Sequence, residues 1–128
     1  MLVVDDEEAM GILLRRALRG CDVTAMTSAV QALAAISGGA RFDLILCDLA
    51  MPVMTGLELY EALREAAPTQ ADAIIFLTGG VISASVDDFL RALPNTRIGK
   101  PFELAHLKSV VNARLSAPRG PSPEPVGT

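Results

Sequence analysis

The chain has no tryptophan, one tyrosine and four phenylalanines among 128 residues, and its eleven Lys and Arg are scattered. Nucleic-acid surfaces depend on massed cations and on aromatic faces for stacking, so this composition argues against one. There are only two cysteines, Cys21 and Cys47, far apart and without metal-ligand spacing. They are expected to be ordinary buried thiols in a reducing cytosol, which places the chain in the cytoplasm. The one histidine, His106, stands alone in the last helical stretch and reads as a surface residue. The uncharged stretch Ala73 to Val86 is broken by Gly79-Gly80 and is too short to cross a bilayer. No charged start followed by an apolar segment resembles a signal peptide, and direct membrane contact is not expected.

What is present suits one folded domain: 51% hydrophobic residues, a net charge of −4, and a length that can bury a core. Short apolar runs alternate with helical stripes along the whole chain. Leu2-Val3-Val4 stops at Asp5-Asp6-Glu7-Glu8, which lead into Met10, Leu13, Leu14, Ala17 and Leu18 at helical spacing, ending at Gly20. Acids in a first helical turn complement the helix dipole, which accounts for Glu7 and Glu8 more readily than for Asp5 and Asp6. Cys21 to Met26 reads as a second strand, and Ser28 to Gln31 has capping-box spacing ahead of an Ala-rich helix. Leu44 to Cys47 is a third strand ending at Asp48; Thr55 to Glu58 is another capping box, and Pro68 closes the helix that follows. Ala73 to Leu77 ends at Thr78-Gly79-Gly80, and a helix carrying Val86, Phe89, Leu90 and Leu93 stops at Pro94-Asn95. Arg97-Ile98-Gly99 precedes Lys100-Pro101, and Leu104, Leu107, Val110, Val111 and Leu115 form the last stripe. Residues 117–128 lack periodicity and are expected to be a disordered Pro-rich tail beyond a domain at 1–116.

Five strands alternating with five helices through short connections predict an α/β fold: a parallel sheet between two helical layers, joined by right-handed crossovers. All strand ends then share one edge, where ligands bind in such sheets. Asp5-Asp6, Asp48, Thr78 and Lys100 therefore converge. At about 4 Å and an effective dielectric near ~20, each pair of like charges costs about 4 kcal/mol. A hard divalent cation relieves that repulsion, and Mg²⁺ suits carboxylates and phosphate oxygens. Three Asp give −3; one Mg²⁺ with Lys100 gives +3. Asp48 is then the nucleophile, a carboxylate able to attack phosphorus, with Lys100 and the Thr78 hydroxyl taking equatorial oxygens.

These residues resemble the receiver domain of two-component response regulators from Leu2 to about Leu115. The matching segments are Val4-Asp5-Asp6-Glu7, Cys47-Asp48-Leu49-Ala50-Met51-Pro52, Leu77-Thr78-Gly79 and Gly99-Lys100-Pro101-Phe102. The resemblance implies a flavodoxin-like strand order 2-1-3-4-5, and Mg²⁺ held by Asp5, Asp6, Asp48 and the Ala50 carbonyl. It implies phosphorylation of Asp48 from a phosphohistidine on a histidine kinase or phosphotransfer domain, with the domain catalysing its own phosphorylation and dephosphorylation. It also implies a conformational switch involving Thr78 and the residue three before the lysine. The family often has Tyr or Phe there; this chain has Arg97. Ala50 and Gly80, two residues beyond Asp48 and Thr78, offer no polar side chain to guide hydrolytic water.

The Thr78-Gly-Gly opening, the Phe89-Leu90 to Pro94-Asn95 stretch and Lys100 to Leu104 look like receivers at the end of hybrid sensor histidine kinases. A stand-alone regulator is the alternative, and homodimerisation is left open. A phosphatase of the haloacid-dehalogenase type needs a second acid where Ala50 stands; an unphosphorylated interaction module would have lost an acid or the lysine. Met51 and Met54 are expected to pack. Output is expected on the face formed by the fourth helix, fifth strand and fifth helix.

Overall fold

A computed structural model describes residues 1–79 and 82–116; Gly80 and the tail at 117–128 lie outside the described residues. The elements run β1 (Leu2–Val4), α1 (Glu8–Ala17), β2 (Thr24–Met26), α2 (Ala29–Ser37), β3 (Ile45–Asp48), α3 (Gly56–Ala66), α4 (Pro68–Asp72), β4 (Ile74–Thr78), α5 (Ala84–Ala92), β5 (Arg97–Gly99) and α6 (Leu104–Ser116). The five strands form one parallel sheet in the order β2-β1-β3-β4-β5, as expected.

Alternation along the central strands builds two cores. Leu2, Val4, Ile45, Cys47, Ile74 and Phe76 face one side, against Ala32 and Ile36 of α2, Leu59, Tyr60 and Leu63 of α3, and Leu90 of α5. Val3, Leu46, Ile75, Leu77 and Ile98 face the other, against Leu14 of α1 and Leu107 and Val111 of α6. β1 and β3 are buried along their whole length, which is why they read as continuous apolar runs. The registers Val4↔Cys47, Asp48↔Leu77 and Thr78↔Gly99 bring the carboxyl ends of β1, β3, β4 and β5 to one edge.

Among the described residues there are six helices, not five. Ala67 ends α3 and also caps α4, with Pro68 in the first turn of the short helix. A proline's missing N–H has no partner to lose there, so it opens a helix as readily as it ends one. Gln70 on α4 is buried and clasps the loop before β3: its Oε1 accepts from Phe42 N at 2.8 Å and its Nε2 donates to Phe42 O at 3.0 Å. β2 is shorter than expected because it pairs only with the three residues of β1, leaving Cys21 half-buried in the turn before it. In α1 the stripe is narrower than its sequence period, and Leu13 is 44% exposed.

Candidate functional site

Asp5 follows β1 directly and is 2% exposed; Asp48 ends β3 and is 6% exposed; Asp6 stands on the solvent side. One carboxylate oxygen from each lies within 4.8 Å of the other two. Lys100, just past β5, places Nζ 2.9 Å from Asp5 Oδ2 and 3.3 Å from Asp48 Oδ1. Asp5 also accepts a hydrogen bond from Glu7 N at 2.9 Å, which ties the acidic turn to the start of α1. Thr78 ends the neighbouring strand, half-buried, and its carbonyl accepts from Lys100 N. Residues from four of the five strand ends therefore gather at one rim, joining parts of the chain as far apart as Asp5 and Lys100.

The electrostatics follow from that crowding. Burial first, and the Asp5 charge next, raise the Asp48 carboxyl above its usual range, with Lys100 pulling the other way. Burial works against the Lys100 charge, but its hydrogen bond to Asp5 and the charge of Asp48 prevail and raise its pKa. Cys47 is buried, and its thiol is pushed up by burial and then by Asp48 and Asp5, so it is an inert core group.

Three carboxylates against one ammonium leave two negative charges, and every donor is a hard oxygen. An ion with oxygen ligands at about 2.0–2.6 Å spans donors up to about 5 Å apart. The 4.8 Å spread is within that reach. Ala50, two residues on, is exposed at the same loop. The donor set fits a hard divalent cation.

The loop after Asp48 is fixed at both ends. Gly56 N donates to Leu49 O at 3.0 Å, and Thr55 and Glu58 make the reciprocal capping box at the start of α3. Met51 is buried and Met54 half-buried in the core, so both pack. Between them Val53 has φ +70° and is 92% exposed. A β-branched residue in the left-handed region is strained, and nothing in the sequence pattern marks it. Val53→Asn is expected to raise stability by about 1 kcal/mol, since asparagine tolerates that conformation. A urea-unfolding midpoint that stays put or falls would refute the strain.

Arg97 does not join the acidic rim. Its guanidinium pairs with Asp87 on α5 at 2.9 Å. His106 is exposed on α6, and no described helix is long and apolar enough to cross a membrane.

Comparison with known proteins agrees with this geometry. The family model for the response regulator receiver domain matches residues 1–112. The DNA-binding response regulator MtrA of Mycobacterium tuberculosis is 33% identical over 117 residues, covering 90% of this chain and 50% of that protein. The chain thus spans about half the length of the curated relatives it matches. Among solved structures, an adenylate cyclase from Rhodopirellula baltica superposes with a TM-score of 0.77 at 28% identity, covering 89% of this chain and 84% of that one. The receiver domain of the sensor histidine kinase PA1611 from Pseudomonas aeruginosa, with a magnesium ion coordinated in its active-site cleft, superposes with a TM-score of 0.75 at 26% identity. That match covers 91% of this chain and 96% of the other. Strand order, rim and family match agree, and the chain belongs to the response regulator receiver domain family of two-component systems.

Proposed function

We propose that this domain accepts a phosphoryl group on Asp48 from a phosphohistidine of a histidine kinase or histidine phosphotransfer domain. The observation that carries the reading is the Asp48 carboxylate, 6% exposed and held at once beside Asp5 and the Lys100 ammonium. A carboxylate kept at the carboxyl edge of the sheet with its own counter-charge and an acidic neighbour is poised for an incoming electrophile rather than for packing.

Asp5, Asp6, Asp48 and the Ala50 carbonyl would hold Mg²⁺, which supplies positive charge against the carboxylates and the phosphoryl oxygens. An Asp48 oxygen attacks phosphorus; the bond from phosphorus to the imidazole nitrogen breaks, and its electron pair leaves with the imidazole, which takes up a proton. Lys100, kept charged by Asp5 and Asp48, meets developing negative charge on one equatorial oxygen. The Thr78 hydroxyl, at the end of the adjoining strand, takes another. Residues 1–116 are the unit we assign to this chemistry, working in the cytoplasm.

Incubation with acetyl phosphate and Mg²⁺ is expected to add the mass of one phosphoryl group, read by intact mass spectrometry, and chelation is expected to abolish it. An unmodified mass under saturating donor would overturn the assignment.

For the parent protein, the likeness to the PA1611 receiver supports a hybrid sensor histidine kinase. The half-length match to MtrA supports a second reading, a regulator whose other half binds DNA. The native transcript separates them, by a kinase core upstream or a DNA-binding module downstream.

A further inference from the structure

The basic residues are scattered in sequence, but the fold sorts them by partner. Ten of the eleven fall within the described residues, and seven of those ten are engaged. Arg91 and Arg97 share Asp87, Arg64 pairs with Asp72, and Lys100 bridges Asp5 and Asp48. Arg15, Arg41 and Arg114 donate to backbone carbonyls. The three left without an ion pair or side-chain hydrogen bond among the described residues are Arg16, Arg19 and Lys108. All three line one groove between the end of α1 and α6, and no carboxylate is among the described residues that line it.

The helices that carry these cations do not explain them. A cation in the last turn of a helix complements its dipole, which accounts for Arg16 at the end of α1. Arg19 lies beyond that helix, and Lys108 is in the second turn of α6, where the dipole gives a cation no stabilisation. The groove holds about 780 Å³, within the range of about 300–1,000 Å³ for small-molecule sites. Asn112 adds an amide to the α6 wall, and Leu115, 38% exposed, adds apolar surface beside the cations. The groove is separate from the acidic rim. α1 starts at the rim, its ten residues carry the chain about 15 Å away, and none of Asp5, Asp6, Asp48 and Lys100 lines the groove.

We propose that this groove binds a phosphorylated small molecule carrying at least two phosphate groups. Arg16 and Arg19 suit phosphate oxygens through the planar guanidinium fork, and Lys108 supplies a point charge from the other wall. A terminal phosphate carries about −2 near neutral pH, so a second phosphate matches three cations better than one alone does. The remaining volume, with Leu115, takes an organic body. No described aromatic residue lines the groove, so the body is not read by stacking and selection falls on the phosphates. A nucleic acid or an acidic polypeptide calls for cations extended along a surface; these come from the two walls of one cavity. The site stands independently of the phosphoacceptor reading.

Cys21 lines the same groove, half-buried, while Cys47 is buried in the core, so alkylation of Cys21 reports on occupancy. The full chain is treated with iodoacetamide and followed by intact mass, in metal-free buffer so that phosphates do not bind through a cation at the rim. Adenosine diphosphate is expected to slow alkylation several-fold, pyrophosphate to slow it too, and adenosine to leave it unchanged. Equilibrium dialysis with labelled adenosine diphosphate is expected to show one site per chain, weakened by salt. Arg16→Gln and Lys108→Gln are each expected to reduce both signals several-fold. Arg15→Gln, which removes a neighbouring cation whose Nε is held by Val23 O outside the groove, is expected to change neither. Alkylation indifferent to both phosphates, dialysis without binding, or full binding in the Arg16→Gln/Lys108→Gln double variant would overturn the site. Equal protection by adenosine would overturn it as an apolar pocket, and stronger protection by a short polyglutamate peptide as a docking surface for an acidic chain.

Discussion

Asp48→Asn is expected to take no phosphoryl group from acetyl phosphate and, without divalent cation, to melt at a higher temperature than the native chain. The first outcome follows from the nucleophile: an amide oxygen lacks the charge and basicity to displace a leaving group from phosphorus. Neighbouring Asp5 and Asp6 do not substitute for it, because Asp5 is already tied to Lys100 and Glu7 N, and Asp6 stands out in solvent. The second outcome follows from crowding. Burial and Asp5 raise the Asp48 pKa, so the folded state holds this proton more tightly than the unfolded chain does. The associated stability is present below the ordinary carboxylate pKa and is lost as pH rises through the raised value. Asparagine removes that loss, so the advantage of the variant should grow as pH rises through this window and then level off. Lys100 keeps Asp5 at 2.9 Å in either protein, so no buried ammonium is stranded. Differential scanning calorimetry in chelator across acidic to neutral pH reads the trend. A variant that still gains mass, or that melts lower than the native chain at neutral pH, would refute the assignment of a strained acceptor carboxylate.

The gathering of Asp5, Asp6, Asp48 and Lys100 was legible in the chain because a parallel sheet turns strand ends into neighbours whatever their separation in sequence. Polar residues closing apolar runs were enough to locate the rim. Less legible was the division of labour within it: nothing in the pattern separates buried Asp5 from exposed Asp6, since that depends on how α1 leaves the sheet. The Gln70 clasp on Phe42 and the Arg97–Asp87 pair were likewise silent, because each joins side chains across elements without any periodic signature. Asn95 belongs with them. Its Nδ2 donates to both Ala71 O and Ile74 O, at 2.9 and 2.8 Å, stitching the end of α4 to the start of β4. Pro68 was read as a stop, and α3 does end just before it; that it also opens α4 was not legible, because only Ala67's position as a shared cap reveals the second helix. Helical stripes gave the apolar side of α1 but not its width: Leu14 is buried and Leu13, one residue earlier, looks outward.

Gly56→Ala is expected to cripple both stability and phosphoryl acceptance, although the residue carries no chemistry of its own. A Cβ built there would sit 2.4 Å from Asp48 O and 3.1 Å from Leu49 Cα, backbone atoms that have no rotamer to yield. Either the end of β3 or the first turn of α3 must move. α3 is pinned by the capping box at Thr55 and Glu58 and by the buried Leu59, Tyr60 and Leu63. β3 is laddered on both sides, to β1 and to β4. Overpacking between two such fixed elements costs about 1–3 kcal/mol, and here it falls on backbone, so the upper part of that range is expected. The displacement passes directly into the residue that bears the acceptor carboxylate. A misplacement near 1 Å lowers a positioned reaction by about 10²-fold, so the rate with acetyl phosphate should fall by that order even in protein that remains folded. Gly99→Ala is the control: it adjoins Lys100 on the same rim, yet a Cβ there meets nothing within 4 Å. Urea unfolding and time-resolved intact mass on the two variants distinguish a steric effect at the β3–α3 junction from a general cost of altering glycine. Equal behaviour of the two, or a Gly56→Ala protein with native midpoint and native rate, would mean that the tight approach between α3 and Asp48 does not position the acceptor.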